Sequence, residues 1–481
     1  MIDSTAGDTP EPNPASFQPL GWRDRFAIVL GNTAARVSRL TGRGSGGMIG
    51  GRVASKISPK LLSHLSAGRR IALVTGTNGK TTTTRMLSEA LRTSGSEIAS
   101  NRGGDNMTPG ILAALMSSPC APYAVLEVDE MHLQVVAHET KPEVIVLLNL
   151  TRDQLDRVGE MAVIERRIRQ AVAENPQSSV VVNVDDPLMT SAAWEAARPV
   201  WVAAGKGWCA DSITSPRTGD AIIYDGGVTG ENSASGNDTQ VHWKAVPIES
   251  LLSGTKSTDT ENPASNQEEP RSEDARVFER PQPRWVWHSE GYQPGAAMQL
   301  REATGAQTVE VTINLPGRAN RGNASQALVA AQLMGADIKA AASGVASVRD
   351  VAGRYAHFDV AQHQARMILV KNPAGWMESL TMLNPEASLV IGVNGQHADG
   401  TDLSWLWDVN FEALAGRKVV ATGERGADLQ VRLNYAGIET IWAPSVWDAI
   451  HATPPGQVDL LLNYTCLRDT RAELIEKGML S

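Results

Sequence analysis

The sequence predicts an α/β protein with two successive parallel sheets, on three observations. A strand, turn and helix pattern recurs through the first half, a polar low-complexity stretch interrupts it, and the recurrence then resumes toward the end. Short β-branched runs at 71–75 (IALVT), 123–128 (YAVLEV), 143–150 (EVIVLLNL) and 179–184 (SVVVNV) are separated by helical segments of about 10–20 residues. Runs apolar at every position belong to strands covered on both faces, so helices are expected on both sides of the sheet.

Taken in order, residues 1–20 are polar and Pro-rich and are expected to be disordered. From Trp22 to Ser66 the pattern gives a helix, a flexible loop over the Gly-rich GRGSGGMIGG (42–51), and a helix. The strand at 71–75 leads through a Gly turn into a helix from Thr81 to Ser94. Between Gly205 and Gln282 lie GGVTGENSASGNDTQ and SGTKSTDTENPASNQEEPRSED, both polar and low in complexity. Compact domains seldom hold so much structureless chain, so an insertion is expected at about 205–284. Regularity returns with TVEVTINLPG (308–317), a helix from Asn320 to Gly335, and a second α/β unit. Its strands are MILVKN (367–372), SLVIGV (388–393), KVVATG (418–423) and DLLLNYT (459–465). The expected domains are 21–355 and 356–481.

Composition narrows the function. The 481 residues suit two or three domains, and 42% hydrophobic content supports real cores. Lys+Arg 44 against Asp+Glu 53 leaves a net charge of −9, which argues against a nucleic-acid binder, since tracking phosphates needs a basic face. Cys120, Cys209 and Cys466 are far apart, without the pairing or spacing of a disulfide framework or CxxC metal site, and fit a reduced, cytoplasmic setting. No apolar run reaches the roughly 18 residues of a spanning helix, and the N-terminus lacks a basic leader.

The strongest chemical signal is Thr75-Gly76-Thr77-Asn78-Gly79-Lys80-Thr81-Thr82, after a strand and at a helix start. Gly76 and Gly79 allow a tight turn that aims successive backbone N–H groups and the helix N-terminus at phosphate oxygens. Lys80 adds a positive charge for the β- and γ-phosphates, and the Thr81 hydroxyl is a Mg²⁺ ligand. Val74 stands where the general GxxxxGK[ST] pattern has its first Gly.

The variant TGTNGKTTT resembles the phosphate loop of the Mur ligase and folylpolyglutamate synthase superfamily. Glu127 in LEVDE, the NVDDP turn (183–187), Asn320 and Asn323 in LPGRANRGNASQALVAA, and Gly353-Arg354 carry the resemblance further. It implies a Mur ligase-type central domain with a P-loop and a parallel sheet, plus a smaller Rossmann-like C-terminal domain. It also implies ATP and Mg²⁺ as cofactors: Gly76, Thr77, Asn78, Gly79, Lys80, Thr81 and Thr82 around the phosphates, and Asn320 and Asn323 at the nucleotide. Glu127 joins Thr81 on the metal, and Arg354 reaches the phosphates from the domain hinge.

Within the superfamily, NLTRDQLDR (149–157), KNPAG (371–375) and DGTDLSWLWDVNFE (399–412) resemble the MurT family, the ligase-like subunits of lipid II isoglutaminyl synthase. Amino-acid-adding Mur ligases carry a His where Gln154 stands, and the helix MAVIERRIRQAV (161–172) has no lysine of the type they carbamylate. The resemblance implies phosphorylation of the α-carboxylate of D-glutamate in the lipid II stem peptide, at the inner face of the cytoplasmic membrane. Ammonia from a GatD-like glutaminase, the other half of a heterodimer, then yields D-isoglutamine. Asp402, with Asp399 and Asp408 as alternatives, would orient the partner's catalytic His, alongside Lys80 and Glu127 as catalytic groups in this chain. A Mur or folylpolyglutamate-type ligase that adds an amino acid remains the alternative, and a catalytically dead scaffold is a third reading.

Many relatives carry a four-Cys zinc ribbon in the first domain. Here Ser215 and Thr218, and Asp274 and Arg276, stand at its Cys positions, so no structural zinc is expected.

Overall fold

The computed structural model describes residues 19–40, 47–101, 104–152, 161–224, 242–252, 277–288, 292–349 and 355–480. Residues 1–18, Gln154, Asp274, Arg276 and the pair Gly353-Arg354, each assigned a property from sequence, lie outside them.

Three helices come first: α1 (Trp22–Leu40), α2 (Gly47–Ile57) and α3 (Leu61–Ser66). The Gly-rich stretch expected as a loop is corrected in its second half, because Gly47 to Gly51 open α2. Close packing explains the glycines: a Cβ on Gly50 would lie 2.8 Å from the Gly31 carbonyl oxygen, and one on Gly51 only 1.8 Å from that of Pro109.

The chain then alternates through β1 (Arg70–Thr75), α4 (Lys80–Arg92), β2 (Ile98–Ser100), α5 (Thr108–Ser117), β3 (Tyr123–Glu127) and α6 (Leu133–Thr140). It continues with β4 (Val144–Leu147), α7 (Met161–Ala173), β5 (Ser179–Asn183), α8 (Pro187–Ala193) and β6 (Pro199–Val202). The insertion holds an antiparallel ribbon, β7 (Ala221–Tyr224) and β8 (Trp243–Val246), and the short α9 (Ile248–Leu252). β9 (Trp285–Trp287), β10 (Ala297–Glu302), β11 (Thr308–Thr312), α10 (Ala319–Leu333) and α11 (Ile338–Ala346) complete the first body.

Nine strands form one sheet in the order β11-β10-β9-β6-β5-β4-β1-β3-β2. It is parallel from β2 to β9, but β10 pairs antiparallel with both β9 and β11. The expected parallel sheet thus gains an antiparallel edge, where β10 and β11 alternate exposed and buried residues as strands wet on one face do. In β1, by contrast, both faces are covered. Ala72 and Val74 pack with Met86 and Leu87 of α4 and with α10, while Ile71 and Leu73 pack with Ile111 of α5 and Val136 of α6.

The second body comprises β12 (Tyr355–Val360), β13 (His363–Leu369), α12 (Pro373–Thr381), β14 (Ser388–Gly392), β15 (Lys418–Thr422), α13 (Gly426–Tyr435), β16 (Glu439–Trp442), α14 (Val446–His451), β17 (Gly456–Leu462) and α15 (Tyr464–Glu476). Its order is β12-β13-β17-β14-β15-β16, with only the edge strand β12 antiparallel. The segments after the adjacent strands β14 and β17 are tied together, Asn394 N–H donating to Asn463 Oδ1 at 3.0 Å and Asn463 Nδ2 to the Asn394 carbonyl at 2.7 Å.

The ribbon in the insertion keeps its turn without cysteines. The Ser215 hydroxyl accepts the N–H groups of Arg217 and Thr218, both at 3.3 Å. An apolar cluster of Cys209, Ile222, Tyr224, Trp243 and Phe278 fills its centre, with the Phe278 ring 5.0 Å from both Trp194 and Trp243. Burial raises the Cys209 thiol pKa, keeping that side chain a neutral core group. The NVDDP turn ties the ribbon to the sheet: Asp185 pairs with Arg280 at 2.8 Å and Asp186 with Lys206 at 2.7 Å, all four side chains buried. Among the described residues no group of three or more His, Cys, Asp or Glu side chains is placed to hold a metal.

Candidate active site

The loop from Gly76 to Gly79 joins the end of β1 to the start of α4, where parallel strands point their carboxyl ends. Gly76 (φ 139°) and Gly79 (φ 86°) occupy backbone conformations that L side chains rarely adopt. Gly79 is glycine for a second reason, since a Cβ there would sit 2.5 Å from Asn323 Oδ1.

The segment that follows β4 splints the loop. Thr77 donates its N–H to the Asn149 carbonyl (2.9 Å), and its hydroxyl donates to the Thr151 carbonyl and accepts the Thr151 N–H, each at 3.0 Å. Asn78 N–H donates to Asn149 Oδ1, and Asn149 Nδ2 donates back to the Asn78 carbonyl, both at 2.9 Å. A loop fixed this way presents its remaining donors without further ordering cost when an anion arrives.

The buried Lys80 ammonium donates to the carbonyls of Gly76 (2.6 Å) and Thr77 (3.3 Å) and lies 3.3 Å from Glu130 Oε1. The Thr81 hydroxyl donates to Glu127 Oε2 at 2.8 Å. Asn101 clamps the Glu127 backbone, accepting its N–H and donating to its carbonyl at 2.8 Å each. Thr82 is buried on the first turn of α4. Asn320 and Asn323 stand one turn apart at the start of α10: Asn320 Nδ2 donates to the Pro316 carbonyl (2.6 Å), and Asn323 Nδ2 to Asn320 Oδ1 (3.1 Å). Lys80, Thr81, Glu127 and Asn323 are thereby gathered around one loop, whereas Arg354 lies outside the described residues.

The second body reaches this loop directly. Asn372, in KNPAG, is buried and N-caps α12 by accepting the Gly375 N–H at 2.9 Å. Its amide exchanges reciprocal hydrogen bonds with that of Asn78, 3.3 Å each way. Glu378 of α12 accepts the Ala319 N–H at 2.8 Å; burial raises its carboxyl pKa, opposed by that N–H and by the nearby Arg318 and Arg321. Arg152 joins Asp211 (2.5 Å) to Asp408 (3.3 Å) across the same boundary.

The three aspartates of the C-terminal motif differ. Asp399 is buried, accepts the N–H of Thr465 at 2.9 Å and its hydroxyl as well, and burial raises its pKa. Asp408 faces Arg152. Asp402 is exposed on the loop after β14, with Oδ1 accepting the Ser404 N–H at 2.8 Å. Trp405 packs inside against Trp376, while Trp407 is exposed.

Sequence reading missed Glu130, Asn101, Asn149 and Asn372 as site residues. Glu130 and Asn372 fall inside quoted motifs whose neighbours drew attention; Asn101 carried no signal, because its role depends on a contact 26 positions away.

The donor set suits a phosphate chain and a hard cation: backbone N–H groups at a helix start, an ammonium, a hydroxyl and a carboxylate, with no sulfur or imidazole.

Two family models match, the Mur ligase middle domain over residues 74–243 and the MurT ligase C-terminal domain over 369–467. The lipid II isoglutaminyl synthase (glutamine-hydrolyzing) subunit MurT of Staphylococcus aureus is 26% identical over 433 residues, covering 87% of this chain and 89% of its own. Its counterpart from Streptococcus pneumoniae is 27% identical over 430 residues, with coverage of 85% and 87%. Among solved structures, a pseudomurein peptide ligase type C from Methanothermus fervidus superposes with a TM-score of 0.62 at 18% identity, over 85% of this chain and 79% of that one. With that fold, those two domains and homology along most of its length, the chain is a MurT homologue built from a Mur ligase middle domain and a MurT ligase C-terminal domain.

Proposed function

We propose that this chain is the ATP-using subunit of an enzyme that amidates the α-carboxylate of D-glutamate in the lipid II stem peptide. The observation that carries the reading is the convergence of Lys80, Thr81 and Glu127 on a splinted loop that Asn372 of the second body also touches.

A carboxylate is a poor electrophile at neutral pH, so amide formation needs a better leaving group than oxide. In the proposed sequence a carboxylate oxygen attacks the γ-phosphorus of ATP, the bond to the β-phosphate oxygen breaks, and ADP leaves. Ammonia then attacks the carbonyl carbon of the acyl phosphate and inorganic phosphate departs with the bonding pair. Lys80 and the loop N–H groups neutralise charge on the transferring phosphoryl group, and the α10 asparagines border the nucleotide. Mg²⁺, held by Thr81 and Glu127, would supply charge neutralisation at the phosphates. The Arg354 assignment is part of the same proposal.

Ammonia is proposed to come from a GatD-like glutaminase bound as a heterodimer. Asp402 is the positioning residue offered to the partner's His, because its carboxylate is exposed while Asp399 is turned inward and Asp408 faces Arg152. With a lipid-linked substrate, the enzyme would work at the inner face of the cytoplasmic membrane.

The test is an assay of the chain with lipid II, ATP and magnesium, given either ammonium or free amino acids. The expected product is the amide, read by mass; a product lengthened by an amino acid, or no ATP-dependent product, contradicts the reading.

A further inference from the structure

The first helix is built inside out. In α1 the small residues Ala27, Gly31 and Ser38 face the protein, while Trp22, Phe26, Val29, Leu30, Val37 and Leu40 face outward. At 3.6 residues per turn these six fall within an arc of about 100° opposite the packed face. Their exposure is that of uncovered side chains: 81% for Trp22, 52% for Phe26, 62% for Val29 and 87% for Leu40. A stripe of this kind on an otherwise well-packed protein marks an interaction surface.

Charge identifies what covers it. From Trp22 to Lys60 the sequence has eight Lys/Arg and a single acidic residue, although the whole chain carries −9. Arg25, Arg36 and Arg39 are exposed on α1 itself, and Arg52 and Lys56 are exposed on the adjoining α2. The lone acid, Asp24, is turned inward: burial alone would raise its pKa, but hydrogen bonds from Ser58 (2.6 Å) and His64 (2.9 Å) hold it below the ordinary value. Large apolar side chains flanked by arginines describe a helix lying in the headgroup layer of an anionic bilayer. No helix among the described residues is long and apolar enough to cross a membrane.

The mounting suits such a role. Backbone contact at Gly31 and Gly50 fixes α1 on α2, and Gly51 seats α2 on Pro109 at the start of α5. The loop before α5 holds Asn101, the clamp on Glu127. The stripe is therefore linked through α2 and α5 to the neighbourhood of the phosphate site.

We infer that the exposed face of α1 docks the enzyme on an anionic phospholipid surface. The choice of a bilayer over another protein rests on the surrounding charge and on the lipid-linked substrate of the proposed function.

The experiment is co-sedimentation of the full chain, without nucleotide or lipid II, with vesicles of phosphatidylcholine alone or mixed with phosphatidylglycerol. The chain should sediment with the mixed vesicles only. The triple variant Phe26→Ser, Val29→Ser, Val37→Ser should lower partitioning by about a hundred-fold with unchanged thermal melting, and Arg25→Gln with Arg36→Gln by about ten-fold. Equal partitioning of wild type and triple variant, or wild type left in solution, overturns the inference. So does a wild-type dimer that the triple variant dissociates, or loss of the glutaminase partner on the same substitution. Amidation of lipid II in detergent micelles is independent of vesicle binding: its failure sinks the proposed activity and leaves the docking result standing.

Discussion

The phosphate loop and the ribbon in the insertion both hold their backbone in a fixed shape, yet they do so by different physics. In the loop, bonds with Asn149 and Thr151 splint the backbone around Lys80 and Thr81. In the ribbon the frame stands on a hydroxyl-capped turn, two buried ion pairs and an aromatic cluster. Where a group must meet a ligand, only that group will do. Where it only has to hold chain together, buried apolar surface serves as well.

That contrast can be broken or sharpened by substitution. The largest effect is expected for Lys80→Ala, which should lower amidation on the order of a thousand-fold while leaving the complex with the glutaminase intact; a variant with normal turnover would place the loop outside the chemistry. Phe278→Ala should do the reverse. It should cost about 3–4 kcal/mol of stability through the cavity left between Trp194 and Trp243, read as a lower melting temperature, with kcat retained below that temperature. For Asp402→Asn, glutamine-driven amidation should fall about a hundred-fold while ammonium-driven amidation is kept, a split that a structural defect in the loop would not produce. Ser215→Ala should cost only about 1 kcal/mol, because two turn N–H groups lose an acceptor, and metal analysis of tag-free protein should find no stoichiometric zinc.

Much of this was legible in the sequence because its signals are local. The apolar runs marked strands buried on both faces, and TGTNGKTTT placed Lys80 and Thr81 at a helix start. What stayed hidden depends on distant contacts. Residues 47–51 read as a loop by propensity, but packing of Gly50 against Gly31 and of Gly51 against Pro109 holds them in a helix. The antiparallel edge of the first sheet had no equivalent in the buried runs, since β10 and β11 alternate. Asn372 looked like a family marker until folding brought it to Asn78, 294 positions away. The aromatic cluster of the ribbon draws Trp194 and Phe278 from either side of the low-complexity stretch, which the linear pattern could not pair.

The central claim is that the substrate carboxylate is phosphorylated before nitrogen is added. It is tested most directly by labelling both oxygens of the lipid II α-carboxylate with heavy oxygen and letting the reaction run with ATP and ammonium. The expected result is one heavy oxygen in the released inorganic phosphate and the other in the amide. Inorganic phosphate free of label, alongside amidated product, would contradict it.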